Sequence, residues 1–418
     1  MSTWRRALSQ LSHGSRKIST DIRLRFTTSK MSATTVGPIS LSIPNIAGNE
    51  WSYVKECLDT GWVSSVGSFV DRFERDLAAR AGTQHAIATA SGTAAIHTAL
   101  MAAGVEKDDE VLMPSLTFIA PANAVRYIGA WPVFLDSDPV YWQLDPNKVE
   151  VFLRTECVQK AGATINRKSG RTIKAIMPVH VLGHPAPLKP ILELAGRYGL
   201  VVIEDATESL GSTYEGRPTG SWGLIGCFSF NGNKIITTGG GGMIVTHDKA
   251  LADRCRYLTT QAKDDPVEFV HGAIGYNYRM TNVQAAIGCA QLEQLDKFIN
   301  RKKQIAECYA EAFGALRGWT LPQVAPWASS NWWLYTVRIN EGRARSSSRA
   351  VMAQLQAQAI QCRPFWQPMH LSPAHLDCQA WNCGTAEALW RDCLSIPCST
   401  NLDPDSQQRV IAEIQRCA

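Results

Sequence analysis

Between about residue 68 and residue 280, short apolar runs alternate with stretches whose apolar residues recur every three or four positions. Runs of four to six apolar, often β-branched residues have the length of buried strands, and the wider spacing marks helices with one buried face. The runs at 86–89, 110–113, 175–179, 200–203, 225–230 and 243–246 therefore predict strands, and 94–103 and 188–198 predict helices among them. Strands that alternate with helices pair in parallel and need cover on both faces. The expected fold is α/β, a mostly parallel sheet with helices on both sides. After Thr281 the positions Val283, Ala286, Ile287, Ala290, Leu295, Phe298 and Ile299 keep helical spacing, with Glu293, Asp296 and Lys297 between them. One long helix is predicted there, running into a smaller α+β domain with a strand at 333–339. The expected organisation is a leader at 1–40, a large domain at 41–300 and a small one at 301–418. Residues 341–348, rich in Arg and Ser, read as a linker.

Chemistry gathers at the ends of the predicted strands. Lys234 follows the run 225–230 in Ser229-Phe230-Asn231-Gly232-Asn233-Lys234, just before the tract Gly239 to Gly242. Buried beside a cationic ring, such a lysine loses basicity and becomes a nucleophile and a general base; on an open turn it is a surface residue. Asp205 closes the run 200–203 at a strand's carboxyl end, where open α/β sheets place catalytic groups. It also suits a helix N-cap before Ala206-Thr207-Glu208, and the two roles are compatible. Ser91-Gly92-Thr93 lies between a strand and a helix, where free amides and the helix dipole favour an anion, although an ordinary capped helix reads the same way. Ser229 can add a hydroxyl, and Phe118 is either core or a flat platform. An amine, an acid, an anion cradle and an aromatic surface are together what pyridoxal 5′-phosphate requires of a protein.

Ser91-Gly92-Thr93-Ala94-Ala95, Glu204-Asp205-Ala206-Thr207-Glu208-Ser209-Leu210-Gly211, Ser229 to Gly242 and Gly275-Tyr276-Asn277-Tyr278-Arg279-Met280-Thr281-Asn282 occur in that order. In these segments the chain resembles the DegT–StrS sugar aminotransferases, which have the aspartate aminotransferase (type I) fold, from about residue 41 to its end. The resemblance implies Lys234 as the lysine that bonds the cofactor and carries the proton, and Asp205 as partner of the ring nitrogen. It implies Gly92, Thr93 and Ser229 on the phosphate, Phe118 stacked on the ring, and Asn277 reaching the cofactor of a neighbouring subunit, so a homodimer with shared sites. Glu208 falls where many relatives have glutamine at the cofactor's 3′-oxygen; a carboxylate there needs a proton or a cationic neighbour. Residues 41–65 are expected to fold back over the site.

The wording around Glu204 and Ser229, with Arg363-Pro364-Phe365-Trp366-Gln367-Pro368-Met369-His370, looks most like the branch acting on UDP-linked 4-keto-6-deoxy-N-acetylhexosamines. Arg279, Arg363 and His370 are the candidate substrate contacts, Arg being suited to forked phosphate bonds; Trp366 and His370 equally suit loop packing. The implied reaction is a ping-pong transfer from an amino acid, L-glutamate by resemblance, to the keto group of a nucleotide-linked sugar. Related sugar 3-dehydratases carry histidine at the lysine position, so Lys234 argues for transamination. A non-catalytic regulatory or scaffolding relative is the alternative, against which Lys234 and Asp205 together count.

Bulk properties narrow the rest. With 45% hydrophobic and 19% charged residues, 418 residues suffice for two domains with a large core. The net charge of +5 resides in the leader, where Arg5, Arg6, Arg16, Lys17, Arg23, Arg25 and Lys30 face only Asp21; the rest gives no reason to expect nucleic acid. That Ser-, Thr- and Arg-rich leader suits an organelle transit peptide, a disordered arm, or sequence ahead of a start at Met31. No apolar run is long enough to predict a membrane span. Twelve cysteines raise a metal, but Cys378/Cys383 and Cys393/Cys398 are spaced too widely for zinc knuckles, so none is expected, and a reducing cytoplasm is the expected setting. The tract Gly239 to Gly242 precedes a strand and opens no helix, which fails the dinucleotide fingerprint.

Overall fold

Eight strands lie side by side along the main path of a ten-stranded sheet in the computed structural model, which describes residues 37–418. They are β1 (His85–Thr89), β2 (Glu110–Pro114), β3 (Trp131–Leu135), β4 (Thr172–Ile176), β5 (Val201–Asp205), β6 (Ile225–Ser229), β7 (Gly242–Thr246) and β8 (Ala380–Trp381), in the order β1-β7-β6-β5-β4-β2-β3-β8. β7 runs antiparallel to both its neighbours; every other pairing along the path is parallel. Every residue of β2 and β7 is buried, so both faces need cover. Val111 and Met113 point into a cluster with Ala95, Ile96 and Ala122, while Leu112 between them joins Phe152, Ile191 and Leu194. That alternation is the period-two geometry of a strand sandwiched by helices.

The α/β architecture is as expected, and three details differ. β4 begins at Thr172 and ends at Ile176, short of 179, because Pro178 has no N–H to give a ladder; Val179 makes only an isolated bridge with Asp205. The single helix after Thr281 is two, Asn282–Leu292 and Leu295–Phe313. Thr281 opens the first with a capping box to Gln284. At the break, Glu293 accepts from Asn49, Tyr53 and Arg72, and Gln294 donates to Glu50, so the helix Glu50–Thr60 is pinned there. Residues 341–348 are no linker: they turn the chain from the strand Tyr335–Ile339 into the helix Ser348–Ala357, which Ser347 caps.

Pro38–Ala418 form one unit. Its C-terminal part builds an antiparallel four-stranded sheet from Trp319–Thr320, Tyr335–Ile339, Cys393–Ile396 and Arg363–Pro364, and also lends β8 to the large sheet. The basic leader lies outside the described residues, except that Ile39 is buried and bridges Ile360, so order begins before residue 41. Among the described residues no helix is long and apolar enough to cross a membrane. All twelve cysteines are free thiols, and Cys383 and Cys398 lie apart, against Phe134 and Trp333.

Candidate active site

Because β1, β2, β5 and β6 run in one direction, their carboxyl ends share one edge of the sheet. Asp205 and Ser229 are the last residues of β5 and β6, Ser91 follows β1, and Phe118 follows β2. A cavity of about 360 Å³ opens at that edge. Gly92, Thr93, Phe118, Asp205, Glu208, Ser229 and Lys234 all line it, as does Arg363 from the smaller sheet. Leu41 reaches it from the N-terminal arm, and Ser42 bonds the Asn233 carbonyl; of the arm expected over the site, 61–65 do not line the cavity, and the Trp62 and Ser64 carbonyls accept from Asn282 instead.

The cradle is built by close approach. Ser91 caps the helix Gly92–Ala102 by accepting from Ala94 N–H, which leaves the amides ahead of it directed at the cavity. A Cβ on Gly92 would stand 2.7 Å from the Cβ of Ser229, and one on Gly242 would stand 2.4 Å from the Ser91 carbonyl oxygen. Only glycine lets the helix start, the serine hydroxyl and β7 meet this closely.

Three ionisable groups converge beneath it. Asp205 is buried, accepts from Thr207 N–H at 3.1 Å, and makes no salt bridge among the described residues. Burial pushes its carboxyl above the usual range, with Thr207, Lys234 and His180 pulling the other way. Glu208 accepts from Leu182 N–H at 2.8 Å and stands 3.8 Å from Lys234 Nζ. Burial raises it to about 7, against the pull of Lys234. Burial likewise depresses Lys234, against the pull of Glu208 and Asp205. A buried acid with no cation on it, an amine of lowered basicity and a half-exposed Phe118 ring (52%) are complementary to a pyridinium aldehyde phosphate, and the glycine-lined cradle to its phosphate.

Behind this row sits a second pair. Glu204 and His180 are both fully buried, Nε2 to Oε2 3.0 Å, and His180 Nδ1 accepts from Ala186 N–H, which fixes Nε2 as the donor. Glu204 also accepts from the amides of Gly220, Trp222 and Gly223. Burial opposes its charge, yet these bonds hold its carboxyl below the usual range. The pair anchors the turn after Asp205, since His180 N–H donates to the Asp205 carbonyl.

Two expected substrate contacts go elsewhere. Arg279 is committed to Glu74 at 2.8 Å and is absent from the cavity lining. His370 lies between Ser115 (2.7 Å) and Glu387 (3.0 Å), the loop-packing role, and does not line the cavity either. Asn277 is exposed and outside this chain's cavity. Conversely, the sequence placed Trp333 only in a strand, yet its ring centroid lies 4.0 Å from Lys234 Nζ, and Trp366 stacks on Trp333 while meeting Phe118 edge-on. Nothing local marks Trp333; the contact closes a loop of about a hundred residues.

The family model described as DegT/DnrJ/EryC1/StrS aminotransferase family matches residues 44–415, and the chain belongs to that family. It is accordingly a pyridoxal-phosphate-dependent nucleotide-sugar aminotransferase. It is 43% identical over 379 residues to a GDP-perosamine synthase of Caulobacter vibrioides, covering 90% of this chain and 98% of that protein. A GDP-perosamine synthase of Escherichia coli O157:H7 is 40% identical over 332 residues, 79% of this chain and 85% of its own. A crystal structure of a DegT DnrJ EryC1 StrS aminotransferase from Brucella abortus superposes with a TM-score of 0.80 at 29% identity, over 88% of this chain and 95% of that one.

Proposed function

We propose that this enzyme moves the amino group of an amino acid, L-glutamate, to C4 of a GDP-linked 4-keto-6-deoxy sugar. The observation that carries the transfer is the burial of Lys234 beside Glu208 and Asp205 at the mouth of a glycine-lined anion cradle. The relatives named as GDP-perosamine synthases support the GDP-linked acceptor. UDP-linked 4-keto-6-deoxy-N-acetylhexosamine is the second reading, supported by the wording of the segments around Glu204 and Ser229.

When bound, pyridoxal phosphate supplies an aldehyde that takes the amine and a ring that accepts the electron pair left by proton loss. Gly92 and Thr93 amides and the Ser229 hydroxyl would hold the phosphate, and Phe118 would offer the ring an apolar surface. Asp205 would sit against the ring nitrogen, where a cationic ring would offset the burial that raises the lone carboxyl and so let an ionised Asp205 keep that nitrogen protonated. Lys234 Nζ, with basicity lowered by burial, takes the α-proton of the amino acid and later returns a proton to the sugar carbon. Glu208, with a pKa of about 7, carries a proton part of the time and so offers a hydrogen-bond donor inside the cavity. Arg363, on the cavity wall, suits the sugar diphosphate. In a homodimer Asn277 reaches the neighbouring site.

The test has two stages. Purified protein mixed with pyridoxal phosphate should show a visible absorption band that is absent in Lys234→Ala and that shifts when L-glutamate is added. GDP-, UDP- and TDP-linked 4-keto-6-deoxy sugars are then offered, and the product amine is located by NMR. Preferred turnover of the GDP sugar supports the reading; preferred turnover of the UDP acetamido sugar replaces it with the second. A band that does not depend on Lys234 overturns both.

A further inference from the structure

The Lys234 side chain is 13% exposed and its Nζ makes no hydrogen bond among the described residues; its contacts are the Glu208 carboxylate at 3.8 Å and the face of Trp333 at 4.0 Å. A buried ammonium held that way needs a fixed surface, and Trp333 is fixed at each of its polar atoms. Its N–H donates to Asn331 Oδ1 at 2.9 Å, its carbonyl accepts from the buried Lys302 Nζ at 2.8 Å, and its indole N–H donates to the Asn233 carbonyl at 2.7 Å. That last bond ties the ring to the residue immediately before the lysine. Asn331 in turn donates to the Glu208 carbonyl at 2.9 Å, so the indole and the carboxylate are set in register on the two sides of one amine. Trp333 is itself 3% exposed, and Trp366 stacks behind it at 6.2 Å.

We propose that Trp333 is a positioning residue, the seat of the Lys234 ammonium in that part of the cycle when the amine is not bonded to the cofactor. The proposal rests on the role given to Lys234 above. It adds where the free lysine waits: against an aromatic face whose quadrupole attracts a cation without offering it an acceptor to which the proton can pass. Once it has taken the α-proton the lysine is thereby held by no hydrogen bond, able to swing back to the cofactor. The other titratable groups lining the cavity are Asp205, Glu208 and Arg363; among them only Glu208, at 3.8 Å, comes within ion-pair distance of the amine.

The test uses full-length, cofactor-free protein whose lysines carry 13C-methyl groups from reductive methylation, with Lys234→Ala assigning the Lys234 resonance. In the wild type that resonance should lie upfield through the indole ring current, and in Trp333→Leu it should return to the common lysine position. Its titration midpoint should fall by about one pH unit in the same variant, the size of a partly desolvated cation–π contact. Trp333→Phe keeps an aromatic face and loses the bond to Asn233, so the upfield position should largely persist. An unchanged position and midpoint in Trp333→Leu overturns the proposal; loss of the upfield position in Trp333→Phe does so too, by showing that the Asn233 bond alone orders the lysine. Borohydride trapping of pyridoxal phosphate on wild-type protein is run alongside. Failure to trap it on Lys234 overturns the lysine assignment itself, independently of the NMR outcome.

Discussion

Glu208 shows what burial does to a single carboxyl, even with an amine 3.8 Å away. Its raised pKa means that the folded, cofactor-free protein binds a proton there more tightly than the unfolded chain does. Stability from this group is therefore complete below about pH 4.5 and is lost as pH rises toward about 7. Glu208→Gln should remove that loss, so the melting temperature of the variant should overtake the wild type across this window, by the equivalent of about 1–2 kcal/mol at neutral pH; parallel melting curves would contradict it. For catalysis, Lys234→Ala should abolish transfer, and Asp205→Asn should slow it by about 10²- to 10⁴-fold in single-turnover assays with L-glutamate. Asp205, Glu208 and Lys234 were legible because short motifs fix them against a strand end. The contact of Trp333 with Lys234, the pairing of Arg279 with Glu74 and the choice of loop packing for His370 were not legible for the opposite reason: these partners are set by the fold and leave no trace in adjacent residues.

At the scale of elements, the strands and helices at 86–89, 188–198 and 243–246 were readable because apolar periodicity and burial coincide there. The early end of β4 and the broken helix at 293–294 were harder. Pro178 was visible in the sequence, but its effect depends on which strand lies beside it; Gln294 breaks a regular pattern only because the helix Glu50–Thr60 is pinned across it. Gly92 illustrates the reverse, a residue whose small size matters to two elements at once. Gly92→Ala places a methyl group 2.7 Å from Ser229 Cβ and should cost about 1–3 kcal/mol in denaturant unfolding, with weaker pyridoxal phosphate binding by equilibrium dialysis. Retained stability with retained affinity would show that the helix start shifts without consequence for the cradle.

Across the whole molecule, the smaller sheet is tied to the larger by a buried carboxylate. Asp136, just after β3, accepts from Lys148 Nζ at 2.6 Å and from the amides of Thr385 and Ala386, at the start of the helix Gly384–Asp392. Burial opposes its charge, but these bonds outweigh it and hold the carboxyl below its usual range. The contribution is thus present above about pH 4 and lost as pH falls below 3.8. Asp136→Asn should cost about 1–3 kcal/mol at neutral pH in urea unfolding and should flatten the acid limb of the stability profile. The leader at 1–36 stays an expectation of sequence alone, while 38–40 prove to be anchored by Ile39.

β8 has a bearing on how the protein is made. The last strand of the large sheet, Ala380–Trp381, pairs with Phe134 and Leu135 of β3, residues made long before it. During synthesis from the N-terminus, β3 therefore waits with a free edge for almost two hundred and fifty residues, a template for pairing with another chain. A protein ending at residue 379 should accordingly aggregate where the full chain stays dispersed, measurable by light scattering during refolding. The sheet gains its last pairing only once residues 380–381 have been made.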